Sequence, residues 1–362
     1  MTSRIEDIIR DPLFQLNVLL WLAQPQHPWA QPEIDPLFFE VGFTVHAIAP
    51  LLAPPPDLLL ACRQRGIGVQ DRVRPDVVLV GQQGKQFAFV ECKANSFGVA
   101  SSTANQARTL LLLAGPRSAE VLGFAAGRTL DSIPGLFLPE EHRFPMAQTL
   151  DQLNASLISQ GLPAGDFSVV GLGADEERIY LQLDKKGAEF FSLLPGPLEL
   201  MRLEADTDPR PLYFIPFDPD LDQTPDEKAF CKRVLLERLQ GGLIALVGRA
   251  HPPFNLSVNL QRLLNDATFG TFDQWENQDT HKHLRGLAKQ LLTAIAQEIS
   301  RIIPGVVSYT PAEGWRIKAE NPELHQHLMD GLTRFSCDSM SLETDPQLDL
   351  FEQMEAQPVS DE

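Results

Sequence analysis

Apolar positions run almost unbroken from Pro12 to Ala23, which predicts a mostly buried helix. Prolines and glutamines over 24–36 end it. Asp35-Pro36 is a good N-cap and first-turn pair, so 36–48 reads as a second helix, although Val41, Thr44 and Val45 suit a strand equally. The pattern leaves both open. Pro54-Pro55-Pro56 stops this element, and Asp57 to Arg65 reads as a short helix before Gly66. Two strands follow, Val77–Val80 and Gln86–Lys93, and the turn sequence Gly81-Gln82-Gln83-Gly84 between them predicts a hairpin. Ser101 to Leu113 reads as a helix and Val121 to Phe124 as a further strand. Helix, hairpin, helix, strand is an α/β arrangement.

Residues 131–150, with Ile133-Pro134-Gly135 and Leu138-Pro139-Glu140-Glu141, read as a boundary near 145. Short strands are expected at Phe167–Gly171 and Arg178–Leu183, joined by an acidic turn, inside a β-rich segment over 146–222. The Pro- and Asp-rich stretch 206–225 marks a second boundary. Thr224-Pro225-Asp226-Glu227 has the form of a capping box with proline at the first helical position. Helices are expected over 225–247, 257–266 and 280–303, then a hairpin from Val306–Thr310 and Trp315–Lys318, then a helix near 322–334. Helices followed by a β-hairpin build winged-helix domains, so 223–337 reads as a mostly helical domain for which that is one form. Residues 338–362 are acidic and polar and read as a disordered tail. The chain carries no internal repeat.

Composition narrows the class. Of 362 residues, 43% are hydrophobic and 22% charged, enough apolar content for a substantial core and too much for wholesale disorder. Cys62, Cys92, Cys231 and Cys337 lie far apart with no C-x-x-C pair, which disfavours both a disulfide scaffold and a cysteine zinc site. The first residues are acidic where a signal peptide is basic, and no run approaches the ~18 apolar residues of a membrane helix. A cytoplasmic protein without a membrane partner is expected.

The formal charge of −18 argues against a surface that coats nucleic acid nonspecifically. Its distribution changes that picture. Residues 1–150 hold 12 basic and 14 acidic residues, 151–224 hold 5 and 14, and 225–340 hold 13 of each. The last 22 residues carry 7 acids and neither Lys nor Arg. The excess is therefore confined to the middle and the tail, and the other segments keep enough cations for local basic surfaces. The acidic middle segment itself reads as a nucleic-acid mimic or a face for a basic partner.

The chemistry concentrates in Arg74-Pro75-Asp76, followed after fourteen residues by Glu91-Cys92-Lys93. Glu91 and Lys93 are two apart on a strand and emerge on one face, which they share with Phe87 and Phe89. A carboxylate and an amine on a buried face require a partner or a metal. The turn brings Asp76 across from Glu91, and two converging carboxylates suit a hard divalent cation, Mg²⁺ or Mn²⁺. The lysine beside them can orient a water or offset charge on a phosphate.

These residues, Pro75-Asp76 and Glu91-Cys92-Lys93, resemble the PD-(D/E)XK nuclease superfamily, over roughly 36–130 of the chain. The resemblance implies a restriction-endonuclease-like mixed sheet flanked by helices within 1–145, and a Mg²⁺-dependent deoxyribonuclease. It implies that Asp76 and Glu91 ligate the metal, that Cys92 lends its carbonyl while its side chain faces away into the core, and that Lys93 is the catalytic lysine. Glu40 is the candidate for an additional ligand, and Gln106 for the glutamine some subfamilies place on the following helix.

Other motifs carry less. His281-x-His283 and His325-x-His327 point apart on helices and read as surface or capping residues. Gly171-Leu172-Gly173 is trailed by acids that would repel a phosphate, and reads as a hairpin turn. No Walker sequence is present, so any ATP-driven step belongs to a separate ATPase subunit.

The tail contains one apolar island, Gln347-Leu348-Asp349-Leu350-Phe351. It resembles the bacterial sliding-clamp-binding pentapeptide at all five positions. The resemblance implies a tether to the clamp of the replicative polymerase, with Gln347 hydrogen-bonded and Leu348, Leu350 and Phe351 buried. Together these readings give a metal-dependent DNA endonuclease recruited to replicating DNA, in bacterial defence against foreign DNA. The alternatives are a host repair or recombination nuclease, and a catalytically idle nuclease-like module docking on the clamp or a partner ATPase.

Overall fold

The computed structural model describes residues 2–25, 34–124, 130–203, 225–310 and 314–334. The chain divides into two compact units, Met1–Asp222 with Thr268–Leu284, and Gln223–Ala267 with Arg285–Glu362.

In the first unit the order is α1 (Thr2–Arg10), α2 (Pro12–Leu22), α3 (Leu37–Glu40), β1 (Thr44–Ile48), α4 (Pro56–Gln64), β2 (Val77–Gly81) and β3 (Gln86–Cys92). Then come α5 (Ser102–Leu113), α6 (Ser118–Val121), β4 (Asp131–Pro139), α7 (Glu140–Ser159), β5 (Ser168–Ala174), β6 (Arg178–Leu183), α8 (Lys185–Phe191) and β7 (Gly196–Arg202). The seven strands form one mixed sheet in sequence order. β3, β4 and β5 are parallel at its centre, and antiparallel strands extend it on both sides. A mixed α/β sheet flanked by helices is therefore observed.

Local chemistry explains the elements that frame the site. Asp11 caps α2 by accepting the Leu13 amide at 2.9 Å, with Pro12 at the first helical position. The β2–β3 turn is made by Gln82, Gln83 and Gly84 at φ 45, 57 and 82°, the left-handed conformations that keep a short hairpin twisted with its strands. Ser101 caps α5 through the Ala104 amide at 3.1 Å. Phe87 and Phe89 pack with Leu110 and Leu113 of α5. Leu136, Leu138 and Val169 pack with Leu111, Leu112 and, from α7, Met146, Leu150, Leu153 and Leu157. Each such side chain contributes about 1.5–3 kcal/mol on burial, and this layer fixes α5 against β3.

Several expectations change. The 36–48 ambiguity resolves as both elements in turn, α3 and then β1. The strand expected at Val121–Phe124 is instead the end of α6 and the residues after it. The next strand is β4, in the stretch whose Pro134 and Gly135 read as chain breakers. There Pro134 lies beside Phe89 and Gly135 beside Val90 in the parallel ladder, so burial between two strands overrides local propensity. The sheet also runs through the boundary expected at 145: β5, β6 and β7, drawn from 146–222, extend the same sheet. Gly171 and Gly173 lie inside β5 rather than in a turn, opposite Gln182 and Tyr180, and the Tyr180 ring occupies the space a Gly173 side chain would need.

Thr268–Leu284 is drawn into the first unit beside β1. The Gln274 amide donates to Val45 O at 3.3 Å, and Glu276 N to Ile48 O at 3.0 Å. Trp275 bridges Ile48 and is 3% exposed. This covers an edge strand that would otherwise present open hydrogen-bonding groups. His281 stacks on Phe272, with ring centroids 3.9 Å apart, while His283 is exposed. The pair does point apart.

The second unit holds α9 (Pro225–Gly248), β8 (Phe254–Val258), α10 (Leu260–Ala267), most of α11 (Gln278–Ile302), β9 (Val307–Thr310), β10 (Gly314–Ala319) and α12 (Pro322–Arg334). β8 takes the start of the helix expected at 257–266. Its three strands are antiparallel in the order β8-β10-β9. His325 meets Val247 O at 3.1 Å and the Phe254 ring edge-on, whereas His327 is exposed. The Thr224 cap and the tail with Gln347–Phe351 lie outside the described residues.

Candidate active site

The hairpin ends where the parallel centre of the sheet begins, and the candidate residues gather there. Val77 pairs with Val90, so Asp76 and Glu91 each lie one residue past the last registered pair. Asp76 Oδ2 accepts the Cys92 amide at 2.6 Å, and the Asp76 carbonyl accepts the Ala49 amide at 2.9 Å. Both ends of the aspartate are thereby tied to the sheet.

Glu91 is 5% exposed. Its Oε1 accepts from Lys93 Nζ at 2.7 Å and from Gln106 Nε2 at 2.6 Å, while Lys93 Nζ also donates to Gln106 Oε1 at 3.2 Å. The three side chains close a triangle in which each is bonded to the other two. Among the described residues no donor lies within hydrogen-bonding distance of the other, buried oxygen, Glu91 Oε2. Gln106 reaches this point because Ser101 caps α5, which begins at Ser102 and carries Gln106 into its second turn. Phe87, Phe89 and Glu91 thus share the face that α5 covers, as the alternation predicts.

Burial works to lower the Lys93 pKa, but the charge and hydrogen bond of Glu91, with Asp76 behind them, outweigh it, and the ammonium ends above its ordinary value. Lys93 is therefore a cation at neutral pH. Burial pushes the Cys92 thiol well up, and the Asp76 and Glu91 carboxylates add to that. The thiol is buried, as expected.

Glu40 is not part of this assembly. It is exposed at the end of α3, and the β1 register carries it away: Thr44 lies beside Val80, near the turn, while Ile48 lies beside Val77. The antiparallel direction of β1 puts Glu40 beyond the wrong end of the hairpin. Among the described residues no three His, Cys, Asp or Glu side chains cluster as a metal site. Asp76 and Glu91, opposite one another past the Val77–Val90 pair, leave two carboxylates as the candidate oxygen donors. That fits Mg²⁺, which is commonly held by one or two carboxylates and keeps several of its waters.

One residue was missed. Gln15, fully buried on α2, donates from Nε2 to Ile9 O at 2.9 Å and to Lys93 O at 3.2 Å. A buried amide in a mostly apolar helix needs a polar partner; α2 carries two, Asn17 donating within the helix to Leu13 O at 2.9 Å and Gln15 reaching outside it.

Comparison with protein-family models, with curated proteins and with solved structures found no match to this chain. Among the described residues no helix is long and apolar enough to cross a membrane.

Proposed function

We propose that the chain is a metal-dependent DNA endonuclease whose centre is Asp76, Glu91, Lys93 and Gln106. One observation carries this reading: a buried carboxylate, an ammonium and an amide bonded in a triangle, with a second carboxylate held one residue along on the paired strand. A purely structural ion pair does not require the second acid or the glutamine. Asp76 and Glu91, with the Cys92 carbonyl, would hold Mg²⁺ or Mn²⁺, which supplies Lewis acidity and a water of lowered pKa. Lys93 keeps its proton against Glu91 and places positive charge where a phosphate gains negative charge in cleavage. Gln106 fixes the rotamers of both. The mixed sheet, with this hairpin leading into its parallel centre, supports a restriction-endonuclease-like fold for the first unit. The α9-β8-α10-α11-β9-β10 order with β8-β10-β9 pairing supports a winged-helix-like second unit.

Recruitment rests on the sequence of Gln347–Phe351. Tethering to a sliding clamp raises the effective concentration on DNA, which reconciles a charge of −18 with a nucleic-acid substrate. Defence against foreign DNA is the setting proposed, in the cytoplasm. The idle-module reading draws on the small donor set, two carboxylates among the described residues.

The test is incubation of purified protein with plasmid, linear and single-stranded DNA, with and without Mg²⁺. Cleavage that requires the metal and disappears in Asp76→Asn and Lys93→Met supports the reading. Metal binding without cleavage of any substrate selects the idle module.

A further inference from the structure

Acids outnumber bases by 48 to 30 in this chain, and the arginines of the first unit find acceptors readily. Arg10 meets Glu141, Arg63 meets Asp71, Arg117 meets Asp57 and Glu120, and Arg143 meets Glu140. Arg178 and Arg202 pair with Asp175 and Glu199, Arg65 donates to Ala61 O, and Arg108 donates to Asn105 and to the Gly68 and Val99 carbonyls. Among the described arginine side chains of this unit, only Arg72 and Arg74 make neither an ion pair nor a hydrogen bond. Arg72 is exposed, and water satisfies it. Arg74 is half-buried. Taking a guanidinium partly out of water without a partner costs free energy, and no described side chain returns it.

Its position gives that cost a reason. Val73 exchanges both backbone hydrogen bonds with Leu52, and the Asp76 carbonyl accepts the Ala49 amide, so the run 73–76 is pinned at both ends. Between the pins, Pro75 fixes its own φ and holds Arg74, the residue before it, in extended backbone. Val73 and Pro75 are buried while Arg74 and Asp76 are half-buried. That is the alternation of an extended run with its polar side chains on one side. Arg74 therefore emerges on the same side as Asp76, about 6.6 Å away along the chain. The two do not pair with each other, because Asp76 Oδ2 is turned to the Cys92 amide at 2.6 Å. Lys93 is already bonded to Glu91 and Gln106. Arg74 is then the cation beside this centre whose donors remain open.

We infer that Arg74 is a substrate-binding residue of the Asp76–Glu91 centre, its guanidinium donating to the non-bridging oxygens of a DNA phosphodiester seated there; the identity of the anion rests on the nuclease reading. The planar N–H fork of arginine matches two phosphate oxygens at once, where lysine offers a point charge. A rigid run carrying both the guanidinium and one of the two carboxylates fixes the phosphate relative to the metal-binding oxygens before any chemistry begins.

The experiment compares wild type, Arg74→Gln, Arg74→Lys and Arg72→Gln. It measures affinity for a fluorescent random-sequence DNA duplex in EDTA, affinity for heparin as a polyanion without phosphate, and cleavage of the duplex in Mg²⁺. Arg74→Gln is expected to bind DNA at least about tenfold more weakly, the loss of a charge-assisted hydrogen bond. Its KM should rise in step while kcat changes less, and it should melt no earlier than wild type. Arg74→Lys should recover only part of the affinity. Arg72→Gln, which removes the same charge from an exposed neighbour, should bind nearly as wild type. Unchanged DNA affinity and KM in Arg74→Gln overturns the inference. An equal loss in Arg72→Gln, or an equal loss for heparin, overturns it too, since either marks a general effect of charge. A wild type that binds DNA through Arg74 and cleaves nothing in Mg²⁺ refutes the nuclease reading and leaves the phosphate contact standing. Metal-dependent cleavage that Arg74→Gln performs as well as wild type refutes the contact and leaves the nuclease.

Discussion

Gln15 Nε2 lies 3.2 Å from the carbonyl oxygen of Lys93 and 2.9 Å from that of Ile9, so one buried amide ties the end of β3 to the α1–α2 junction. Lys93 thereby has its side chain fixed by Glu91 and Gln106 and its backbone fixed from the opposite side. Gln15→Leu removes the donor from a buried carbonyl, Ile9 O, and a part-buried one, Lys93 O, and should cost about 1–3 kcal/mol, read by urea denaturation. If the amide also positions the lysine, kcat for DNA cleavage falls while KM holds. An equal rise in KM would mark Gln15 as structural only.

Glu91 and Lys93 form a pair that is expensive to break from one side. Lys93→Ala leaves a 5% exposed carboxylate without its cation, and its destabilisation should approach the ~3–5 kcal/mol of a broken buried pair, less what partial exposure of the lysine returns. The double variant Glu91→Gln/Lys93→Met should recover much of that stability and none of the activity. Calorimetry on the singles and the double checks this. If the double is as unstable as the sum of the singles, the pair is not coupled.

The same pair sets a pH dependence. The folded Lys93 pKa lies above its ordinary 10.5, so the stability it contributes is complete below that value and is lost as pH rises through the folded pKa. The gap in denaturant midpoint between wild type and Lys93→Met should be constant near neutrality and close only above about pH 10.5. A gap that closes below pH 9 would contradict the assignment.

Cys62 and Cys92 should be poor nucleophiles. Burial raises both thiols, and at Cys92 the nearby carboxylates raise it further. Alkylation of the native protein at neutral pH, followed by mass spectrometry, should leave both unmodified and label them once urea is added. Rapid native labelling of Cys92 would show that the hairpin end opens.

For the tail, a peptide spanning 341–357 should bind a bacterial sliding clamp alone, with the micromolar affinity usual for short disordered motifs. Gln347→Ala, and Leu350→Ala with Phe351→Ala, should each remove most of that binding in calorimetric titration, with the melting temperature of the full chain unchanged. Earlier melting with clamp binding retained would mean the island packs within the protein.

Legibility followed range. The β2–β3 hairpin, the α2 and α5 helices and the shared face of Phe87, Phe89 and Glu91 depend on neighbours a few residues away, and turn glycines, caps and alternation encode them. Asp76, Glu91 and Lys93 could be brought together on paper because one short turn does the joining. Gln106 was reachable because the Ser101 cap sets its helical phase.

Tertiary structure decided what no local rule contains. Pro134 and Gly135 became the interior of β4 because two neighbouring strands and a buried layer outweigh a missing amide. Residues 168–202 joined the first sheet because β4 offered an open edge, and Thr268–Leu284 came to cover β1 from more than two hundred residues away. Glu40 was lost to the site through the direction of β1, and Gln15 was gained through the packing of α2. The sequence determined the elements and the chemistry each carries. Which elements meet was settled by burial of apolar faces and satisfaction of backbone hydrogen bonds across the whole unit, quantities that have no local signature.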